Sequence, residues 1–240
     1  MIIEQFLNWV ESAKAQNRQA AASALARAYL QSDLTVDERC AAEAALTVLL
    51  DDPSPNVRLA LAEALSISHL APIHIVAALA SDQPEVASMV LVRSPLLSDT
   101  DLIDRVALGS DEVQCAIALR AQLSATVCAA IAEVGCLQAC AAMLQNEGAK
   151  IVSLSIRRIV ERFGEESAMR ELLLADPRLP IDGRHALVVK VGEALRSMAL
   201  VTALIGPKRA ERITREAASR ACLDMIEDSP ASEIPALIEH

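Results

Sequence analysis

The sequence predicts an all-α chain, a right-handed α-solenoid followed by a long-helix hairpin, and three observations carry that prediction. The first is a repeat. Asp51–Leu65 (DDPSPNVRLALAEAL), Ser81–Arg93 (SDQPEVASMVLVR) and Ser110–Arg120 (SDEVQCAIALR) each run from an acidic turn into an apolar stripe. Aligned on Val57, Val86 and Val113 they are offset by 29 and 27 residues, and Leu61, Val90 and Ile117 each follow four residues later. A turn-plus-helix unit of roughly 25–30 residues is the period of stacked helical repeats. The second observation is punctuation: Pro, Gly and capping residues break the chain into short helices with connections of two to five residues, which makes successive helices antiparallel neighbours. The third is a change of pattern after the break at Asp176-Pro-Arg-Leu-Pro180. Beyond it the apolar periodicity runs for more than 20 residues at a time.

In chain order, residues 2–15 and 17–32 read as two helices. The first is apolar at Ile2, Ile3, Phe6, Leu7 and Val10, and the second at Leu25, Ala28 and Tyr29. Three of the four aromatics, Phe6, Trp9 and Tyr29, fall here. They read either as a cap over the open end of the stack or as ordinary core aromatics. Thr35-Val-Asp-Glu38 is a capping box opening a helix to Leu50. Helices follow over 56–68, from Pro72 to Ala80, and over 84–93, the last ending at Ser94-Pro95 because a residue before proline is pushed out of the helical region. Ser98–Leu108, Asp111–Gln122, Ser124–Val134 and Cys136–Leu144 come next, with Ser98, Ser110 and Ser124 as N-caps. Ile151–Phe163 stops at Gly164 and Glu165–Leu174 precedes the break. Gly183–Ile205 and Pro207–Glu227 form the hairpin, hinged at Gly206-Pro207. The domains expected are therefore 1–176, 177–230, and a further helix begun within 231–240, where the pattern stops on its first apolar turn as if the natural chain continued.

Composition narrows the function. Hydrophobic residues make up 53% and aromatics 2%, so many contacts are made by Ala and helices can approach closely. Met1–Val10 carries Glu4, Gln5 and Asn8, which is no signal sequence, and no apolar run reaches the length of a membrane span. A cytoplasmic chain with reduced thiols is the expectation. The net charge of −10 is uneven: residues 1–156 hold 9 Lys and Arg against 18 Asp and Glu, whereas 184–220 hold 8 against 3. An acidic body with a basic segment suits an acidic partner or the chain's own body better than nucleic acid.

Candidate chemistry is sparse. Cys115, Cys128, Cys136 and Cys140 could in principle assemble a tetrahedral site from neighbouring helices, yet no C-x₂-C pair occurs and each could be replaced by Ala in the repeat; packing is the preferred reading. His69, His74, His185 and His240 form no H-E-x-x-H pattern, and no glycine-rich phosphate loop or nucleophile elbow is present. Asp99, Asp101 and Asp104 crowd a first helical turn, where they suit the helix dipole. Arg93 and Arg120, each seven residues after its repeat Val, read either as a structural ladder to the neighbouring turn or as a row of donors for an acidic peptide, the ladder being preferred. Arg209, Arg212 and Arg215, with Lys208 and Arg220, make a basic stripe. Its readings are a solvated face, a contact to an acidic partner, or a homodimer contact through 183–227.

The Asp/Pro turn followed by Val-Arg and an Ala-rich helix resembles HEAT-type repeats. The linked segments ASDQPEVASMVLVRSPLLSDTDL (80–102), QCAIALRAQLSATV (114–127) and LQNEGAKIVSLSI (144–156) resemble an alphaproteobacterial family of unknown function built on HEAT-like repeats. The resemblance spans roughly 30–230 and implies a fold, with no catalytic residue to carry over. Expected, then, is a non-enzymatic protein–protein interaction scaffold or adaptor with no cofactor, a protein partner and possible partner-binding residues Arg93, Arg120, Arg209, Arg212 and Arg215. The alternatives are a nucleic-acid binder using the basic C-terminal helix and a metal-binding enzyme using Cys115–Cys140.

Overall fold

The structure is a computed structural model, and it describes residues 6, 8–10 and 12–228. Every regular element among them is helical, with no strand. The chain divides into two compact units, Met1–Leu123 and Ser124–His240. The sequence expectation instead marks its boundary after residue 176.

In the first unit α1 spans Ala15–Gln31, α2 Val36–Leu49, α3 Pro55–Leu65, α4 Ile73–Leu79, α5 Pro84–Arg93, α6 Asp99–Leu108 and α7 Asp111–Ala118. Their starts follow local chemistry. The Thr35 and Ser98 hydroxyls each accept from the N3 amide, and Glu38 and Asp101 accept in return from the cap amides. Pro55 and Pro84 occupy the first helical turn, where a missing N–H costs nothing. Ser110 stands at the N-cap of α7 without accepting from a helix amide. Its hydroxyl meets the Glu112 carboxylate in the first turn instead, holding that carboxyl below its usual range. α7 ends at Ala118 where Gln122 was expected, because Leu119 has already left helical geometry.

Packing in this unit runs between alternate helices: α1 on α3, α3 on α5 and α5 on α7. The face of α3 is Val57, Leu61 and Leu65, all fully buried, and that of α5 is Val86 and Val90. α1 buries Ala22, Ala26 and Tyr29, while Leu25 is half-buried and Ala28 exposed. The expected face of α1 is thus rotated, and small residues line its approach to α3. Tyr29 is buried under Arg39, whose guanidinium lies 5.1 Å from the ring centroid. Phe6 and Trp9 pair with each other at 5.9 Å. Most of the helix expected over 2–15 lies outside the described residues.

The second unit comprises α8 (Ala125–Val134), α9 (Leu137–Gln145), α10 (Ser153–Phe163), α11 (Ser167–Ala175), α12 (Ile181–Ser197), α13 (Ala199–Ile205) and α14 (Pro207–Asp228). The alternate rule holds again: α8 meets α10, α10 meets α12, α12 meets α14, and α9 meets α11. Packing therefore continues through residues 176–182. The first hairpin arm, expected as one helix, is broken at Met198, whose ψ of 119° is extended; no Pro or Gly marks the break. Gly206, at φ +79°, makes the turn into α14, a conformation that suits glycine. The helix expected over 231–240 lies outside the described residues.

Candidate interaction surface

The arginines the sequence offers divide into two kinds, those locked inside the fold and those left on its surface. Seven of the locked ones follow one rule: each joins helices that are neighbours but one. Four of them reach back to the carbonyls that end the helix two positions earlier. Arg105 of α6 donates to Ala80 O at 2.5 Å and Ala77 O at 3.3 Å, at the end of α4. Arg120, just beyond α7, donates to Leu91 O and Ser94 O, closing α5. Arg162 of α10 donates to Ala132 O and Gly135 O, both at 2.7 Å, closing α8. Arg178, after α11, donates to Leu144 O at 2.8 Å and Ala149 O at 3.3 Å, around the end of α9. Helix ends leave their last carbonyls unpaired and carry partial negative charge, so a guanidinium fork suits them.

Three more arginines reach forward to an acid that opens the helix two positions later. Arg18 of α1 grips Asp52 at 2.6 and 3.0 Å, ahead of α3. Arg58 of α3 grips Asp82 at 2.5 and 3.0 Å, ahead of α5. Arg157 of α10 meets Asp182 of α12 through Nη2 at 3.3 Å, while its Nε lies 2.5 Å from the carboxylate off the line of its N–H. Asp52 and Asp82 also accept from the amides of Ser54 and Gln83, so the Asp/Pro turn of the repeat is the acceptor of its own latch. Burial raises the Asp52 carboxyl, but the Arg18 bond, the Ser54 amide and the charges of Arg18 and Arg58 outweigh it, leaving the group below its usual range.

Among the predicted partner-binding residues, Arg120 therefore belongs to the locked set. It is half-buried, and burial pulls its guanidinium below the ordinary value while the charge of Asp99 acts the other way. Arg93, at the same repeat position, is exposed and has no hydrogen bond or ion pair among the described residues. Arg209, Arg212 and Arg215 are all exposed on α14. Arg215 pairs with Glu211 at 2.6 Å and Arg212 with Glu216 at 3.7 Å. Residues 207–228 carry five cations and five carboxylates, so the basic stripe sits on an electroneutral helix.

The cysteines take separate structural places. Cys136 caps α9, its sulfur accepting from Ala139 N, and the buried Cys140 donates to Ile131 O at 3.4 Å. Burial pushes the Cys128 thiol up to about 11. Among the described residues no three His, Cys, Asp or Glu side chains converge where a metal ion could sit. Two open cavities are lined by charge that is largely engaged. One, of about 400 Å³, lies by Asp82, Asp101, Asp104 and Arg105. The other, of about 390 Å³, lies by Arg157, Glu161, Asp182, His185, Lys190 and Glu193. Asp104 in the first and His185 in the second are the titratable side chains left without a partner among the described residues, and neither faces a second free group.

What the surface offers instead is apolar. Val189, Leu195, Met198, Leu200, Leu204, Ile205, Ile213 and Leu223, all on or between α12, α13 and α14, are 37% to 74% exposed. Sequence reading singled out the cations of this hairpin and passed over its apolar positions. The sequence places Leu200 and Leu204 one turn apart, but that spacing alone does not say whether a neighbour covers them.

An all-helical protein whose alternate helices are tied by arginine, and whose C-terminal helices leave apolar side chains in solvent, is the class that fold and surface define. The chain belongs to the bacterial family described as "Uncharacterised protein conserved in bacteria (DUF2336)", which matches residues 86–240. No curated protein and no solved structure matches it. No helix of the described residues is long and apolar enough to cross a membrane.

Proposed function

We propose that this chain is a non-enzymatic cytoplasmic scaffold or adaptor, a right-handed α-solenoid of HEAT-like repeats that presents its C-terminal hairpin to another protein. The observation that carries the reading is the density of exposed large apolar side chains between Val189 and Leu223. Exposed apolar side chains scattered singly need no explanation, whereas eight of them on or between three successive helices suit an interaction site. The latching of alternate helices supports the repeat reading, since each unit then contacts chiefly its neighbours. Engagement of most charged groups in the two cavities supports a binding role over an acid–base one. The five carboxylates of α14 weigh against nucleic-acid binding, which needs uncompensated cations.

The test is capture from bacterial cytoplasm with the full chain, beside a Leu200→Asn/Leu204→Asn variant. Both positions are exposed, so the substitutions leave the core intact. One protein retained stoichiometrically by the wild type and lost by the variant is the expected result. Equal retention by both would move the contact off the hairpin, and retention of nothing would remove the adaptor reading.

A further inference from the structure

The outer face of α14 has a property that neither its exposure nor its net charge reveals. Arg209, Ile213, Glu216, Arg220 and Leu223 follow one another at spacings of 4, 3, 4 and 3 residues. That is the seam spacing at which one helix lies along another. All five are exposed. The opposite side of the helix is occupied, with Ala210 buried at 2%. Thr214 stands so near Gly192 of α12 that a Cβ there would lie 3.8 Å from it.

Read from the other end, the seam is its own complement. In an antiparallel pair centred on Ala218, position 213 faces 223 and 216 faces 220. Ile then meets Leu and Glu meets Arg, and the same contacts recur on the far side of the two-fold axis. Arg212 falls opposite Asp224 in that alignment. Arg215 and Glu211 fall opposite Ala221 and Met225 and pair with each other within the helix at 2.6 Å, whereas the looser Arg212–Glu216 pair at 3.7 Å is the one that pairing would exchange for contacts across the two-fold axis.

A second feature points the same way. α14 has no acid in its first turn and no base in its last. Lys208 and Arg209 stand at its positive end, while 224–228 hold three carboxylates and no cation. This order opposes the helix's own dipole. An antiparallel copy places the acidic end of one helix beside the basic end of the other, and the dipoles oppose as well, so the arrangement that is unfavourable in one helix becomes favourable in two.

We infer that α14 is a self-docking helix, and that the occupant of its outer face is the α14 of a second copy of this chain in antiparallel register about Ala218. At about 1.5 Å per residue the 22-residue helix is about 33 Å long, enough for these layers on both sides of the axis. The contact is isologous, so it closes at two copies and does not propagate. Beside it α13 packs on α14 and leaves Leu200 and Leu204 exposed, which adds apolar surface at the flank. The inference deepens the scaffold reading and rests on it: a paired α14 brings two copies of the scaffold together.

The test uses the purified full chain alone, by light scattering behind size exclusion over a range of concentrations. Glu216→Arg and Arg220→Glu each set like charges face to face at the centre, while the double variant restores opposite charges with their places exchanged. The wild type is expected at twice the 25.6 kDa chain mass, each single variant at the chain mass, and the double variant again at twice that mass. Circular dichroism confirms that all four keep their helix content. A wild type that stays at the chain mass at every concentration overturns the inference. So does a dimer that the single variants leave intact, or one that the double variant fails to restore. A monomeric wild type whose Leu200 and Leu204 still capture a foreign protein would remove self-docking and leave the adaptor reading standing.

Discussion

The guanidinium of Arg162 shows what a single residue does in this chain. It supplies two donors in one plane to two carbonyls, Ala132 O and Gly135 O, that α8 cannot satisfy itself. Replacing Arg162 by Met takes both guanidinium donors from the carbonyls of the buried residues Ala132 and Gly135, and should lower stability by about 2 kcal/mol, the scale of hydrogen bonds to a charged group. Lys should recover less than half of this, because an ammonium is a point donor and cannot span both oxygens; urea unfolding of the three proteins measures it. Cysteine chemistry belongs to the same scale. Cys40 is exposed, whereas Cys128 and Cys140 are buried, and burial holds the Cys128 thiol up near 11. A thiol reagent near neutral pH should therefore modify Cys40 first and reach Cys128 only on unfolding. Rapid labelling of Cys128 in the native protein would contradict that order. Legibility at this scale was partial. The Asp/Pro turns were visible as repeat markers, but their partners Arg18 and Arg58 lie 34 and 24 residues away, and no local pattern announces a bond across that distance.

Single elements were the most legible part of the molecule, because their ends are set by neighbours in sequence. Thr35 and Glu38 form the box that their spacing implies, and Pro84–Arg93 stands where the Pro that opens it and the Ser94-Pro95 after it place it. Loss of the Thr35 hydroxyl in Thr35→Ala should cost about 1 kcal/mol, seen as a lower urea midpoint with an unchanged slope. Gly206→Ala should cost about as much for a different reason. Nothing lies within 4 Å of a Cβ added there, so the penalty is the positive φ alone. Where the reading of elements failed, tertiary contacts had taken over. α1 turns a face of small residues, Ala22 and Ala26, to its neighbour, although Leu25 is the more hydrophobic choice. The break at Met198 has no signal in the residues around it.

At the scale of the whole molecule, a few engaged carboxylates set how stability depends on pH. Asp52, Asp101 and Asp176 all sit below their usual range. Asp176 is raised by burial and brought lower by the side-chain and backbone bonds of Arg178. A carboxyl whose folded value lies below its unfolded value binds fewer protons when folded. Its stabilisation is complete above the unfolded value and is lost as pH falls through the folded one. Stability should hold from neutrality down to the ordinary carboxylate range near pH 4 and fall steeply below it. Asp176→Asn should lower the neutral plateau and flatten the acid limb, measured as urea midpoints from pH 7 to pH 3. At this scale sequence reading gave fold class better than surface. Periodicity reports which side of each helix is apolar, but not which apolar side chains find a neighbour, so the exposed leucines of the hairpin needed coordinates.

The backward latches also set an order of events in time. The arginine that closes the end of α5 follows the carbonyls of Leu91 and Ser94 by 29 and 26 residues, and the one that closes α8 follows its carbonyls by 30 and 27. On the ribosome, each of these helices emerges with its last turn open and is sealed only when the second helix after it has been made. Synthesis at about 5–20 residues per second leaves each end open for a few seconds. Within each unit the newest two helices are the unsealed ones, so structure is secured from the N-terminal side with a lag of two helices. A chain stalled before Arg162 would carry α8 with its carbonyls bare, open to any donor that arrived first.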